Sequence, residues 1–220
     1  MVGTGLQMEA SVRRLRGDEI RQASRLLAAA FADDPFIGHF FAHSRRRGLA
    51  FAPFFRTVLH ELADAGGVFA LEAEEALAGV AAWAPPDGAA ASHRSRRLTR
   101  LASLQVRALF PRAAPGLRAG FEALGASHPS VPHWYLAFVG IDPLRQRRGL
   151  GRAILAPVLA RADDQAVPCY LETPFPDTRA FYKTLGFEET DELYPVPGAP
   201  PIWTMTRPPL ARAAPVGGHS

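Results

Sequence analysis

The segment I-D-P-L-R-Q-R-R-G-L-G-R-A, which begins at Ile141, combines positive charge with glycine where a helix is predicted to begin. The first N–H groups of a helix have no partner within the helix and carry partial positive charge, so a loop that enters a helix can bind an anion. Gly149 and Gly151 let the backbone approach a ligand closely, and the arginines before them add positive charge. This combination predicts a site for a pyrophosphate group.

The glycine spacing alone does not identify a cofactor. It matches neither the phosphate loop of nucleoside triphosphatases, which needs Gly-Lys-Ser/Thr, nor the dinucleotide fingerprint G-x-G-x-x-G. An ordinary strand-to-helix turn explains the segment equally well when it is taken alone. A second segment, R-A-F-Y-K-T-L-G-F, follows about thirty residues later and adds the information that is needed.

Together, V-G-I-D-P-L-R-Q-R-R-G-L-G and R-A-F-Y-K-T-L-G-F resemble two motifs of the GNAT superfamily of N-acetyltransferases. The first is similar to the family's Q/R-x-x-G-x-G/A loop, which binds acetyl-CoA. The second is similar to the final helix and strand of the family, where a tyrosine lies near the CoA sulfur. The resemblance implies acetyl-CoA as the cofactor and a direct transfer of the acetyl group to an amine.

The resemblance also implies roles for individual residues. Backbone groups of Val139, Gly140 and Ile141 would bind the acetyl and pantetheine portions, on a strand that separates from its neighbour. Tyr182 would bind the cofactor and protonate the departing thiolate, although a core aromatic on an amphipathic helix is the alternative. The residues implied to surround the pyrophosphate are Gln146, Arg147, Arg148, Gly149, Leu150, Gly151 and Arg152.

Three further segments narrow the resemblance. A-A-A-F-A-D-D-P, L-E-T-P-F-P-D-T-R-A-F-Y and W-T-M-T-R-P are similar to segments of the puromycin N-acetyltransferases and their actinobacterial relatives. This likeness implies a small-molecule acceptor with a primary amine, such as an antibiotic or another secondary metabolite. Two features depart from the family pattern: Arg147 stands where glycine is common, and P-F-P-D-T replaces a loop that often contains an asparagine.

Transfer to an amine requires a base that removes a proton and a donor for the developing oxyanion. The candidate donor is the N–H group of Val139. Glu172 is the candidate base or ammonium anchor, because the similar resistance enzymes have a glutamate at this distance from the tyrosine; a solvated carboxylate at a strand end is the alternative. Asp33, Asp34 and Tyr135 are candidates for binding the acceptor, although acids in such loops are usually only solvated.

Other reactive side chains are given structural roles. His39 and His43 have the i, i+4 spacing of a metal pair, but no third ligand follows nearby and the chemistry needs no metal. We therefore expect surface or packing histidines and no metal site. Cys169 lies in an apolar strand and is expected to be a small buried hydrophobe.

Hydrophobic periodicity predicts the element order β-α-α-β-β-(α)-β-α-β-α-β-β. A helix capped by Asp18 precedes a second helical region over about 36–65, which is interrupted around S-R-R-R-G. W-Y-L-A-F-V-G-I has no polar alternation and predicts a central strand buried on both faces. With the resemblance, the expected fold is α/β (α+β): a mixed sheet of about six to seven strands flanked by helices, with splayed parallel strands at the cofactor cleft.

Composition bounds the organisation and the partners. A chain of 220 residues with 48% apolar content predicts one core, with residues 1–10 as a flexible start, 11–208 as the domain and 209–220 as a disordered tail. Without an apolar leader or a membrane-length run, we expect a cytoplasmic protein. Arg94–Arg118 carries seven arginines and no acid at helical leucine spacing, which favours a solvated helix face over a nucleic-acid site.

The sequence therefore predicts an acetyl-CoA-dependent N-acetyltransferase of a small amine, either a monomer or a homodimer. Another acyl-CoA or a protein amine as acceptor remains an alternative. So does a catalytically silent module that only binds acyl-CoA, although the tyrosine at position 182 argues against it.

Overall fold

The computed structural model describes residues 10–41, 47–86, 104, 107–108 and 110–210. One seven-stranded sheet has the order β1-β2-β3-β4-β5-β7-β6, and only β4 and β5 pair in parallel among its described strands. The strands are β1 Ala10–Arg14, β2 Val68–Ala73, β3 Ala76–Ala84, β4 Trp134–Ile141, β5 Cys169–Thr173, β6 Glu188–Leu193 and β7 Ile202–Arg207. The helices are α1 Ile20–Ala30, α2 Pro35–Phe41, α3 Arg47–Asp64, α4 Ala114–Ala126, α5 Leu150–Asp164 and α6 Pro176–Lys183. The predicted mixed sheet flanked by helices is confirmed.

Two apolar clusters cover the two faces of the sheet. The first contains buried side chains of α1, α3 and α4, such as Leu27 and Phe55. The second contains buried side chains of α5 and α6, such as Ile154 and Tyr182. Strand β4 contributes to both clusters, because alternate side chains of a strand point to opposite faces. The predicted coverage of this strand on both faces is therefore observed.

Strand β4 contains an irregularity at its middle. Leu136 of β4 lies opposite Trp83 of β3, and Phe138 lies opposite the adjacent Ala82. Ala137, between them, therefore has no residue opposite it. Such a bulge bends a strand and increases its twist. Just before this point the parallel pairing with β5 ends, since Tyr135 opposite Tyr170 is the last pair. Beyond it β4 and β5 separate, as the resemblance implied.

The sequence placed most elements correctly but not every cap. The predicted central strand coincides with β4, and α5 ends at the predicted Asp164. The predicted cap at Asp18 is wrong: Asp18 lies inside a 3-10 turn, Gly17–Glu19, that precedes α1. Glu19 is the N-cap residue of α1 but makes no side-chain capping bond to that helix; its carboxylate instead accepts the N–H of Arg16 at 3.0 Å and closes the 3-10 turn. Asp18 and Glu19 are both acids of the kind found at helix starts, and the 3-10 turn places Glu19 at the N-cap position.

Several expectations fall largely outside the described residues. These include most of the Arg94–Arg118 segment, of which α4 contains the end, and most of the predicted flexible start and disordered tail. The continuation of α4 to Ala126 was not predicted. No helix in the described part of the chain is long and apolar enough to cross a membrane.

Candidate active site

The loop that enters α5 adopts two left-handed residues in close succession. Arg147 has φ +62° and Gly149 has φ +78°, and α5 starts at the next residue. A Cβ on Gly149 would meet nothing within 4 Å, so its glycine is required by backbone conformation and not by crowding. Arg147 takes a conformation that disfavours side chains, as expected for a position where relatives often carry glycine. The N–H groups of Leu150 and Gly151 have no acceptor in the described residues.

Side chains around this loop hold it against the rest of the fold. Arg145 donates to the carbonyl of Ala73 at 2.7 Å and pairs with Glu74 at 3.1 Å, so it ties the loop to the β2–β3 turn. Arg148 also lies 3.6 Å from Glu74. Arg147 takes part in neither contact and is exposed. Of the arginines expected around a pyrophosphate, Arg145 and Arg148 therefore lie near the carboxylate of Glu74, whereas Arg147 is exposed to solvent.

The remaining loop residues connect neighbouring elements. The Gln146 side chain donates to the carbonyl of Ile141 at 3.2 Å, which closes the turn after β4. Arg152 donates to the Thr184 hydroxyl at 2.8 Å and so links α5 to the end of α6. Leu150 is buried in the cluster on this face.

Gly151 has a different structural role from Gly149. A Cβ on Gly151 would lie 3.2 Å from the ring of Phe181, which packs directly against the helix backbone at this point. The two glycines of the motif therefore serve two purposes. One supplies a left-handed residue, and the other lets α6 approach α5 closely.

The cleft between β4 and β5 is bordered by Val139, Gly140 and Ile141. Beyond Tyr135 this part of β4 pairs only with β3, so its other edge has no ladder partner in the described sheet. Gly140 is buried against α1, since a Cβ there would lie 2.9 Å from the side chains of Leu27 and Ala30. Backbone N–H and C=O groups along this edge are available to a ligand.

Tyr182 lies on α6 and is buried among the side chains of the α5 face. Its ring packs against Phe181 and Phe187, with centroids 5.2 and 5.8 Å away. Burial raises the pKa of Tyr182 above its usual value, so the phenol keeps its proton at neutral pH. A protonated phenol in an apolar site can donate a proton, but the packing role that the sequence left open is also real.

Glu172 is not a solvated strand-end carboxylate. Its side chain is only 6% exposed, and its Oε1 lies 3.2 Å from Nε2 of His128 in the loop after α4. The carboxylate raises the pKa of both Tyr135 and Tyr170, after the larger effect of burial on each phenol. The structure thus brings Glu172 and the sequence-predicted Tyr135 into one buried polar cluster.

The sequence did not single out the other members of this cluster. His128 and His133 flank the short loop before β4, and their rings lie 5.3 Å apart. Ser127 donates to the Leu124 carbonyl at 2.7 Å and lies 2.9 Å from the Tyr170 hydroxyl. None of these residues is near Glu172 in sequence, and no motif joins them; only the parallel pairing of β4 with β5 brings them together.

The two acids proposed to bind the acceptor differ. Asp34 is buried and caps α2, because its carboxylate accepts the N–H of Ile37 at 2.8 Å. Burial raises the pKa of Asp34 to about 6, against the smaller opposing effect of these backbone donors. The expectation that acids in such loops are solvated is therefore wrong for Asp34. Asp33 is exposed beside it.

His39 and Cys169 lie at separate places in the fold, on α2 and β5. His39 is exposed on α2, near Gly198 of the β6–β7 loop, whereas His43 lies outside the described part. The described residues contain no group of three or more potential metal ligands. Cys169 is buried, as predicted, and burial raises the pKa of its thiol to about 12, which disfavours a nucleophilic role.

Comparisons with known proteins agree with this architecture. The model of the acetyltransferase (GNAT) family matches residues 34–187. An uncharacterised N-acetyltransferase of Schizosaccharomyces pombe is 31% identical over 61 residues, which span 28% of this chain and only 25% of that relative.

Solved structures match over nearly the whole chain. One, described as histone acetyltransferase HPA2 and related acetyltransferase from Corynebacterium glutamicum, has a TM-score of 0.69 at 23% identity and covers 94% of this chain and 100% of its own. Arylalkylamine N-acetyltransferase 2 from Aedes aegypti has a TM-score of 0.64 at 12% identity, with coverages of 91% and 99%. At these identities the likeness concerns the fold.

Proposed function

The chain belongs to the acetyltransferase (GNAT) family, and from this premise we propose that it transfers an acetyl group from acetyl-CoA to a primary amine of a small molecule. One observation carries the proposal: β4 and β5 part after Tyr135 and Tyr170, beside the loop that enters α5. The opening exposes an unpaired strand edge, and the loop presents a helix N-terminus. A long ligand with a pyrophosphate can use both features.

The residues present suit acetyl-CoA. The first-turn N–H groups of Leu150 and Gly151 lack acceptors in the described chain, and the left-handed Gly149 leaves open space beside them. Val139, Gly140 and Ile141 would hold the pantetheine along the free edge of β4. The residues proposed around the pyrophosphate are Gln146, Arg147, Arg148, Gly149, Leu150, Gly151 and Arg152.

Acetyl-CoA supplies the acyl group when bound, and the protein supplies the proton transfers. In this proposal Glu172 binds the ammonium group of the acceptor and removes a proton, since its carboxylate is buried and its Oε1 lacks an aligned donor among the described residues. The N–H of Val139 stabilises negative charge on the carbonyl oxygen. Tyr182 donates a proton to the leaving sulfur, because burial keeps its phenol protonated.

The buried carboxylate of Glu172 favours one class of acceptor. A carboxylate among aromatic rings favours a protonated amine over a neutral or anionic acceptor. The fold accommodates such substrates, since the solved arylalkylamine N-acetyltransferase shares it. Among small amines we propose an antibiotic or secondary metabolite of the puromycin type, on the likeness of L-E-T-P-F-P-D-T-R-A-F-Y and W-T-M-T-R-P.

The direct test is an assay of thiol release from acetyl-CoA against a panel of amines, including puromycin and a basic peptide. We expect release that depends on one or more small primary amines, with the acetylated product identified by mass. Acetyl-CoA binding without transfer to any amine would contradict the proposal and favour a silent acyl-CoA-binding module. Transfer only to the peptide would instead assign a protein acceptor.

A further inference from the structure

Glu172 and His128 bring a carboxylate oxygen and an imidazole nitrogen to the same buried point. Oε1 of Glu172 and Nε2 of His128 lie 3.2 Å apart, and the two side chains are 6% and 18% exposed. Despite this proximity, Oε1 receives no aligned hydrogen bond from any residue that the structure describes. A buried carboxylate oxygen without a donor is costly, so the site favours an N–H group that can reach it.

A hydrogen-bond chain determines which nitrogen of His128 carries the proton. The carbonyl of Val131 can only accept, so His133 must carry a hydrogen on Nδ1, which lies 2.8 Å away. Burial lowers the pKa of His133, which favours its neutral form with a lone pair on Nε2. That nitrogen is 3.2 Å from Nδ1 of His128, which must therefore donate. The tautomer of His128 that has its single hydrogen on Nδ1 has its lone pair on Nε2, beside Glu172.

The hydroxyl groups of Tyr135 and Tyr170 interact with the Glu172 carboxylate, but Oε1 itself has no aligned donor among the described residues. Ser127 uses its hydrogen on the Leu124 carbonyl, so at 2.9 Å the Tyr170 hydroxyl can donate to the Ser127 oxygen. The rings of Tyr135 and Tyr170 lie 4.4 and 4.8 Å from the ring of His128 and present aromatic surface suited to a cation. The titratable groups that face the pair are Tyr135 of β4, Tyr170 of β5, His133 of the preceding loop and, through Tyr170, Asp191 of β6.

We propose that Oε1 of Glu172 and Nε2 of His128 together bind the ammonium group of the acceptor and take its proton, an inference that rests on the proposed acetyl transfer. One N–H bond of the ammonium breaks, its electron pair remains on the amine nitrogen for the attack, and the proton bonds to one of the two acceptors. Water removes it afterwards at the partly exposed His128. His128 is then a second catalytic residue, and His133 is a positioning residue that fixes its tautomer.

The tautomer can be tested without cofactor or activity. We expect ¹⁵N NMR of the imidazole nitrogens to show the single hydrogen of His128 on Nδ1 in the wild-type chain. The variant His133→Ala removes the acceptor for that hydrogen and should move the proton to Nε2 in a substantial fraction of molecules. A wild-type His128 that carries its proton on Nε2 would overturn the proposal, because the lone pair would then face away from Glu172.

The catalytic role is tested by the pH dependence of His128→Gln. At neutral pH we expect kcat/KM for the amine to fall by roughly 10²-fold, the lower part of the range for a lost acid–base group. The deficit should shrink as pH approaches the pKa of the acceptor amine, because an amine that arrives neutral needs no base. His60→Gln, at an exposed histidine of α3, is the matched control and should match the wild type.

The outcomes separate this inference from the proposed function. A deficit that is the same at every pH, or no deficit in a well-folded variant, would overturn the role of His128 while leaving acetyl transfer intact. A wild-type chain that acetylates no amine would overturn the proposed function and this inference with it. An unchanged KM for acetyl-CoA and an unchanged melting temperature of His128→Gln would show that the effect is on the acceptor side.

Discussion

The ring of Phe181 on α6 occupies the space beside Gly151 on α5, where a Cβ would stand 3.2 Å from the ring. A glycine of the cofactor loop thus sets how closely α6, which carries Tyr182, approaches α5. We expect Gly151→Leu to destabilise the protein by about 1–3 kcal/mol, because the added side chain overpacks this contact. Chemical denaturation measures the loss.

The double variant Gly151→Leu with Phe181→Ala provides the control for this contact. If the ring causes the strain, the double variant should lose less stability than the sum of the two single variants, by more than the roughly 0.5 kcal/mol scatter of independent sites. Additive losses would show that the effect of Gly151 arises elsewhere.

Gly149 and Arg147 provide a second pair of opposed substitutions. Both have positive φ, +78° and +62°, so Gly149→Ala adds strain while Arg147→Gly removes it. We expect the first to lower and the second to raise stability, each by about 1 kcal/mol. Thermal unfolding measures both, and equal signs would contradict the conformational argument.

The same two variants also test the cofactor loop. Although their effects on stability should be opposite, both should raise the KM for acetyl-CoA. Gly149→Ala would distort the N–H groups at the start of α5, and Arg147→Gly would remove an exposed positive charge near the proposed pyrophosphate. An unchanged KM in both would argue that the pyrophosphate binds elsewhere.

Asp34 should make stability depend on pH. Burial raises its pKa from 3.8 to about 6 in the folded chain, so the folded state favours the protonated acid. This contribution is fully present below the unfolded pKa and is lost as pH rises through about 6. We expect the wild type to lose roughly 3 kcal/mol relative to Asp34→Asn between pH 3 and pH 8, as an order of magnitude.

Asparagine is the matched substitution because it can still accept the N–H of Ile37 and cap α2. The comparison therefore isolates the ionisation from the cap. Stability curves of the two proteins that run parallel across this pH range would show that Asp34 ionises as freely in the folded as in the unfolded chain.

Patterns of local sequence predicted those parts of the fold that depend on neighbouring residues. The apolar run of β4 and the glycine before α5 each determine a local conformation, and their positions were correct. The bulge at Ala137 had no such signal, because it depends on how β4 aligns with β3. The 3-10 turn before α1 likewise had no signal of its own, so Asp18 was predicted as the N-cap position that Glu19 occupies.

The candidate site was predictable only where a motif carried it. Tyr182 and the loop before α5 belong to segments that resemble the family, whereas His128 and His133 belong to none. Their relation to Glu172 arises from tertiary packing between a loop and a distant strand. The burial of Glu172 and Asp34 could likewise not be predicted from the sequence, because an acidic side chain is usually exposed.

Tyr182→Phe separates catalysis from binding most directly. The substitution keeps the ring that packs against Phe181 and Phe187 and removes only the hydroxyl, so stability should change little. If the phenol protonates the leaving thiolate, kcat should fall by roughly 10²–10⁴-fold, with cofactor affinity nearly unchanged. Stopped-flow and steady-state assays on the identified acceptor measure both quantities.

The thiolate of CoA is a fairly good leaving group, and water can partly replace the phenol, so we expect the loss in Tyr182→Phe near the lower end of that range. Tyr182→Ala is the contrasting variant: it also removes the buried ring and should cost about 3–5 kcal/mol of stability as well as activity. Full activity of Tyr182→Phe would show that residue 182 is needed only for packing. A loss of cofactor binding in the same variant would instead place its hydroxyl in the binding site and not in the proton transfer.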